Sequence, residues 1–166
     1  MNDFLSKLSS YNLFNYLLPG ILFAVLAKQI THYSFIQNEI VIGVFLYYFI
    51  GMVISRVGSL VIEPTLKWLS FVRFAPYKDF IKASEKDPKI EVLSEANNTY
   101  RTLSALFIIL LFLKLYEKLE DKCAFLRGRG GILLIFLLFI MFLFAYRKQT
   151  RYITDRIDTS GHRPTP

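Results

Sequence analysis

Arg56 and Glu63 are the residues of this chain whose types and placement first raise a question of chemistry, because both lie within or beside an apolar run that ends at Pro64. Arg56 sits roughly 10 Å inside the Pro64 end at 1.5 Å per residue. An arginine at that depth either snorkels to the headgroups or faces a bundle interior, where it needs a carboxylate or carbonyls beside it. Glu63 is the nearest acid along the chain, but a spacing of i,i+7 is too long for a simple side-chain pair. A partner for Arg56 would have to come from another helix or subunit. The stretch Leu93–Thr102, reading LSEANNTYRT, is a second concentration of polar groups. Glu95, Asn97, Asn98, Tyr100 and Arg101 there suit hydrogen bonding between subunits or to a protein partner, or a plain solvated helix face.

Arg56, Glu63, Glu95 and Arg101 could in principle form the convergent acid, base and cation of a lipid-modifying site. Nothing in their spacing requires it. The sequence contains no Gly-x-Ser-x-Gly elbow, no His-Glu-x-x-His, no Walker loop and no dinucleotide fingerprint. Arg127-Gly128-Arg129-Gly130-Gly131 lacks the Lys-Ser/Thr pair and preceding strand of a phosphate loop. Arg156 and His162 have the spacing of an arginine–histidine pair found in RNA-cleaving helical domains, but the intervening Ile-Asp-Thr-Ser-Gly leaves no bundle to hold them. With one cysteine, Cys123, and two histidines, His32 and His162, far apart along the chain, no zinc set is available and no intrachain disulfide can form. The expectation is a chain without catalytic residues, metal or cofactor.

The elements that would position these groups follow from hydropathy. Hydrophobic residues make up 54% of the chain, sixteen of them phenylalanine, and mean hydropathy is +0.39. A soluble 166-residue protein could not bury that much apolar surface. Four apolar runs, Leu13–Ala27, Ile40–Ser55, Leu103–Leu113 and Ile132–Tyr146, are each shorter than the roughly 20 residues that span a bilayer. They must borrow flanking basic and tyrosine residues seated at the interface. Ile132–Tyr146 has no polar face, which a soluble bundle helix would show. The expected fold is an all-α membrane protein with four transmembrane helices and a helical cytoplasmic insertion between the second and third. Residues 1–62 hold an amphipathic entry helix and the first two spans, residues 63–101 the cytoplasmic module, 102–148 the last two spans and 149–166 a cytoplasmic tail, mobile from Asp155 unless something holds it.

The first run is not a cleaved signal peptide, since Asp3 accompanies Lys7 and no small-x-small cleavage site follows. Pro19-Gly20 predicts a kink or break in that span. In the second span Gly51, Ser55 and Ser59 recur every four residues, a face that admits another backbone closely and suits helix packing or oligomerisation. After Pro64, Trp68, Phe71 and Phe74 among Lys67 and Arg73 suit the headgroup region. Pro76 is placed to start one helix and Asp87-Pro88 another, and the second runs without a break into the third span. Fourteen of the basic residues fall on the side of both termini and six on the other, which places the termini and the long module inside. The net charge of +7 is then accounted for by anionic inner-leaflet lipid, with no direct nucleic acid expected.

Leu13–Gly20 (LFNYLLPG), Gly51–Pro64 (GMVISRVGSLVIEP) and Leu93–Thr102 resemble segments of small four-span bacterial membrane proteins, and the architecture is similar to membrane subunits of anti-phage defence systems such as Kiwa. The resemblance implies a multi-pass homo-oligomer of the bacterial inner membrane that senses infection or anchors a soluble cytoplasmic effector. It carries over no catalytic residues. From the residues themselves two expectations stay open. One is a non-enzymatic oligomeric component whose layer Glu63–Arg101 binds a soluble protein, with membrane lipid as its other partner. The other is an effector that opens a pore, using the Pro19-Gly20 break and Arg56 as moving and pore-lining elements.

Overall fold

The computed structural model describes the backbone of residues 2–123 and 125–161 and the side chains of 13, 15–123 and 125–158. All regular structure among them is helical. Helix α1 covers Asn2–Ile30, α2 runs through Ile40–Trp68, α3 is Tyr77–Lys86, α4 is Lys89–Lys122 and α5 is Gly130–Gly161. Two of these, α2 and the Gly130–Asp158 part of α5, are long and apolar enough to cross a membrane, and a shorter apolar helical stretch lies at Asn15–Ile30.

Helix α1 passes through Pro19 without the expected break, and the expected entry helix Asn2–Tyr11 is one piece with the first apolar run. The side chains of Phe4, Leu5 and Leu8, the apolar face read for it, lie outside the described residues. Backbone contact with α2 supports this helix. A Cβ built on Gly20 would stand 1.8 Å from the Tyr47 carbonyl oxygen, and one on Gly51 would stand 1.7 Å from that of Tyr16. Glycine at both positions therefore lets the two backbones touch at a level where any side chain would force them apart. Beside that contact Tyr16 and Tyr48 meet edge to face, with ring centroids 5.4 Å apart.

The core is assembled from three helices. Phe23 and Ala27 of α1, Ile54 and Ile62 of α2, and Ala105, Leu106 and Leu110 of α4 form one buried cluster. Gly58 admits α4, since a Cβ there would meet the Arg101 carbonyl at 3.2 Å. By contrast α5 touches the rest mainly along one seam on α2, where Phe49 and Phe142 lie 6.2 Å apart. None of its apolar window is buried, and Ile135, Phe136, Phe139 and Phe144 are all exposed.

The turn Gly58–Ile62 of α2 is π-helical, and the Glu63 amide bonds to the Gly58 carbonyl. Pro64 explains it. Proline offers no amide to the Leu60 carbonyl and its ring would collide with that carbonyl in a regular α-turn, so the preceding turn widens. The helix continues to Trp68, where Ser70, with φ of 57°, turns the chain away. Pro76 then precedes α3, and the Asp87 carboxylate accepts the Lys89 amide at 3.0 Å at the start of α4. As the stripe through Tyr100 suggests, α4 is unbroken over 34 residues. The tail expected to be mobile from Asp155 is instead helical through Gly161, and its last part, 162–166, lies outside the described residues.

The glycine contact is testable. Replacing Gly51 by valine should lower stability by about 3 kcal/mol or more, because the overpacked atom is backbone. Gly131→Ala, with nothing within 4 Å of the added carbon, should stay within about 1 kcal/mol. Unfolding in mixed micelles with increasing dodecyl sulfate would measure both.

Candidate functional site

Two polar clusters occupy opposite ends of the helices. The inner one, by the orientation read above, centres on Glu63, whose side chain is 8% exposed. Arg101 of α4 donates from Nη1 to Glu63 Oε2 at 2.7 Å. Lys67, one turn further along α2, donates to Oε1 at 3.0 Å, and Lys148 Nζ of α5 stands 3.7 Å from the same oxygen. Lys148 also donates to both the carbonyl and the hydroxyl of Ser59, each at 2.7 Å. One buried carboxylate thus faces three cations from three helices. The π-turn presents the Ser59 carbonyl to α5, so the irregularity imposed by Pro64 becomes the anchor for Lys148.

Around this core the shell is aromatic. Lys67 lies 4.2 Å from the Phe74 ring and Lys148 lies 5.7 Å from that of Tyr152, which in turn is 6.0 Å from Tyr77 at the start of α3. Trp68 and Phe71 project outward, 82% and 78% exposed. A cleft between α2 and α5 is lined by Arg56, Ser59, Leu60, Ala145, Lys148, Gln149 and Tyr152.

Glu117 and Glu120, one turn apart on α4, organise the outer cluster. The His32 amide donates to Glu117 Oε1 at 2.6 Å and its ring Nδ1 lies 2.7 Å from the same oxygen, while Lys114 pairs with Oε2. The Tyr33 hydroxyl bonds to Glu120, whose other oxygen accepts the Gly128 amide at 3.2 Å. These contacts hold the Lys114 ammonium and the His32 amide against Glu117 and keep its carboxyl below the usual carboxylate range. Burial, followed by the Glu120 carboxylate, pushes the Tyr33 phenol well above its ordinary value.

Of the residues singled out by sequence, Gly51 meets the Tyr16 backbone within the chain. Ser55 is buried and Ser59 holds Lys148. Arg56 and Glu63 are not brought together: Glu63 is taken by Lys67, Arg101 and Lys148, and Arg56 has no ion-pair partner among the described residues. Arg101, grouped by sequence with the partner-facing residues, is committed to Glu63, with its Nε buried and without a hydrogen bond. Glu95, Asn97 and Tyr100 are exposed and Asn98 is half-buried. Of the arginine–histidine pair, Arg156 lies on α5 and His162 lies outside the described residues. Cys123 is exposed and free. Sequence reasoning missed Lys148, which it counted only as topological charge. The available signal was level: Glu63, Arg101 and Lys148 stand at the same end of three antiparallel helices, so a carboxylate there would find both cations.

The chain matches no family model, no curated protein and no solved structure. What fold and site define is an all-helical protein with two helices fit to cross a membrane and a buried ionic knot where three helices meet.

Removing the carboxylate should hurt more than removing any one cation. Glu63→Ala would leave three cations facing one another, and should cost about 3–5 kcal/mol as broken buried pairs do. Lys67→Met, at the solvent edge, should cost about 0–1 kcal/mol. Thermal unfolding in detergent would give the order.

Proposed function

We propose that this chain is a non-enzymatic, oligomeric component of a bacterial inner membrane, with four spans and a cytoplasmic helical layer, Glu63–Arg101, that anchors a soluble protein partner. The observation that carries it is the separation of the two polar clusters. Along α4 from Arg101 to Glu117, along α2 from Ile40 to Ser59 and along α5 from Gly130 to Lys148 the rise is roughly 24–28 Å. That is close to the ~30 Å hydrocarbon thickness of a bilayer. Between the clusters the outward side chains are apolar apart from Ser104 of α4 and tyrosine rings, and none of the apolar window of α5 is buried, which suits lipid rather than water.

In this arrangement α1 and the middle of α4 are the short spans. They are tolerable because α1 packs its glycines on α2 and α4 buries Ala105, Leu106 and Leu110 in the core. Exposed Trp68 and Phe71 beside Lys67 fall at the headgroup level. The first turns of α4, with Glu95, Asn97 and Tyr100 exposed, project inward as a surface for a protein. The acid of the knot is saturated by cations, which suits a brace rather than a proton-transfer group. The resemblance to anti-phage membrane subunits extends the reading to a sensor or effector anchor in phage defence. An anchor is favoured over a pore by the continuity of α1 through Pro19 and by Arg56 facing the α2–α5 cleft.

Purification in mild detergent with the proteins encoded beside it tests the anchor. The expected result is an assembly containing several 19.4 kDa chains and a stoichiometric soluble protein, lost in a Glu95→Ala, Asn97→Ala, Tyr100→Ala variant that keeps its thermal stability. An assembly without partner that conducts ions in liposomes, and ceases to when Arg56 is replaced, would replace the anchor with the pore.

A further inference from the structure

The inner cluster carries more positive charge than its own acid can neutralise. Lys67, Arg101 and Lys148 share Glu63, which leaves two positive charges in excess, and Arg56, about two helical turns before Glu63 on α2, adds a third with no ion-pair partner among the described residues. Arg56 and Lys148 converge on one cleft, together with the donors of Ser59, Gln149 and Tyr152. Cations gathered this closely repel one another, and a desolvated setting makes the repulsion worse. An anion at the cleft would relieve it.

The shape of the site selects which anion. The cleft itself has room for about 20 Å3, enough for one water-sized group such as a single phosphate oxygen and too small for a sugar or base. Leu60 and Ala145 form part of its wall. Toward the middle of the helices the same α2–α5 seam becomes apolar, with the Phe49 and Phe142 ring centroids 6.2 Å apart, while Leu143 and Phe144 beside it are exposed. A soluble anion gains nothing from that apolar continuation. A phospholipid fits both parts, its phosphodiester against Arg56 and Lys148 and its acyl chains along the seam.

We propose that the Arg56–Lys148 cleft binds the phosphodiester of an anionic phospholipid, and that this lipid is a structural ligand securing α5 to α2. The inference rests on the membrane placement argued above. Arg56 supplies a planar, multiply donating guanidinium suited to phosphate oxygens, and no acid among the described residues pairs with its charge. Lys148 contributes its charge while its donors remain on Ser59. A zwitterionic headgroup brings its own cation into a region already rich in them and should bind less well.

The test uses the full chain reconstituted in nanodiscs of equal parts phosphatidylglycerol and phosphatidylcholine, then released for native mass spectrometry. The wild type should retain phosphatidylglycerol about tenfold over phosphatidylcholine. Arg56→Gln should lose most of that preference with little change in the unfolding temperature measured in lipid-free detergent, and Arg56→Lys should recover part of it. Equal retention of the two lipids by the wild type, or an unchanged preference in Arg56→Gln, would overturn the assignment. Millimolar glycerol phosphate that stabilises the lipid-free protein as much as short-chain phosphatidylglycerol does would also overturn it, in favour of a soluble anion. Extraction of membranes with alkaline carbonate separates this from the wider reading: a chain released without detergent contradicts the membrane placement, whereas a retained chain without lipid preference contradicts the lipid site alone.

Discussion

Burying the Glu63 carboxylate is the constraint on which that end of the structure depends. A lone ionised acid with 8% exposure would cost several kcal/mol in desolvation, and the fold meets that cost by bringing Lys67, Arg101 and Lys148 to it from three helices. Each approach has its own local device. Lys67 follows from the i,i+4 geometry of α2, Arg101 from the missing side chain at Gly58, and Lys148 from the Ser59 carbonyl presented by the π-turn. Pro64 underlies the last of these, since it forces the turn before it to widen. Helix α5, joined to its neighbours also by the Phe49–Phe142 and Tyr77–Tyr152 contacts, makes its ionic contacts with α2 through this knot.

The other end is organised by hydrogen bonding of a loop to α4. Glu117 and Glu120 use one helical turn of spacing to capture the His32 amide, the Tyr33 hydroxyl and the Gly128 amide, so the connections after α1 and after α4 lie against the same pair of acids. Between the ends, the Gly20 and Gly51 contacts fix α1 on α2. The result is a bundle polar at both ends and apolar across its middle.

The long helices were readable from the sequence because apolar runs and the Asp87-Pro88 start are local signals. The spacing of Gly51, Ser55 and Ser59 singles out one stripe of α2, but Gly51 meets the backbone of α1 and Ser59 meets Lys148 of α5, a division the spacing does not show. Two of the three partners of Glu63 were not readable, because Arg101 and Lys148 are distant in sequence and only the antiparallel order of the helices brings them level; the third, Lys67, lies one turn on. Pro19 misled as to a break in α1, since the sequence shows the missing amide but not the Tyr47 carbonyl beside Gly20 that fixes the helix in place. The tail from Asp155 misled for a similar reason: its Asp, Arg, Ser and Gly content hides a helix that continues from the apolar run before it, on which Tyr152 stacks near Tyr77.

The central claim is that the two polar clusters lie on opposite faces of a bilayer, and Cys123, free and exposed at the outer end, offers a direct probe. Spheroplasts expressing the chain would be treated with a membrane-impermeant maleimide, in parallel with a Cys123→Ser, Ala96→Cys variant. The account predicts that Cys123 is labelled on intact spheroplasts and that the cysteine at position 96 is labelled only after permeabilisation. Labelling of both positions from the same side would contradict it.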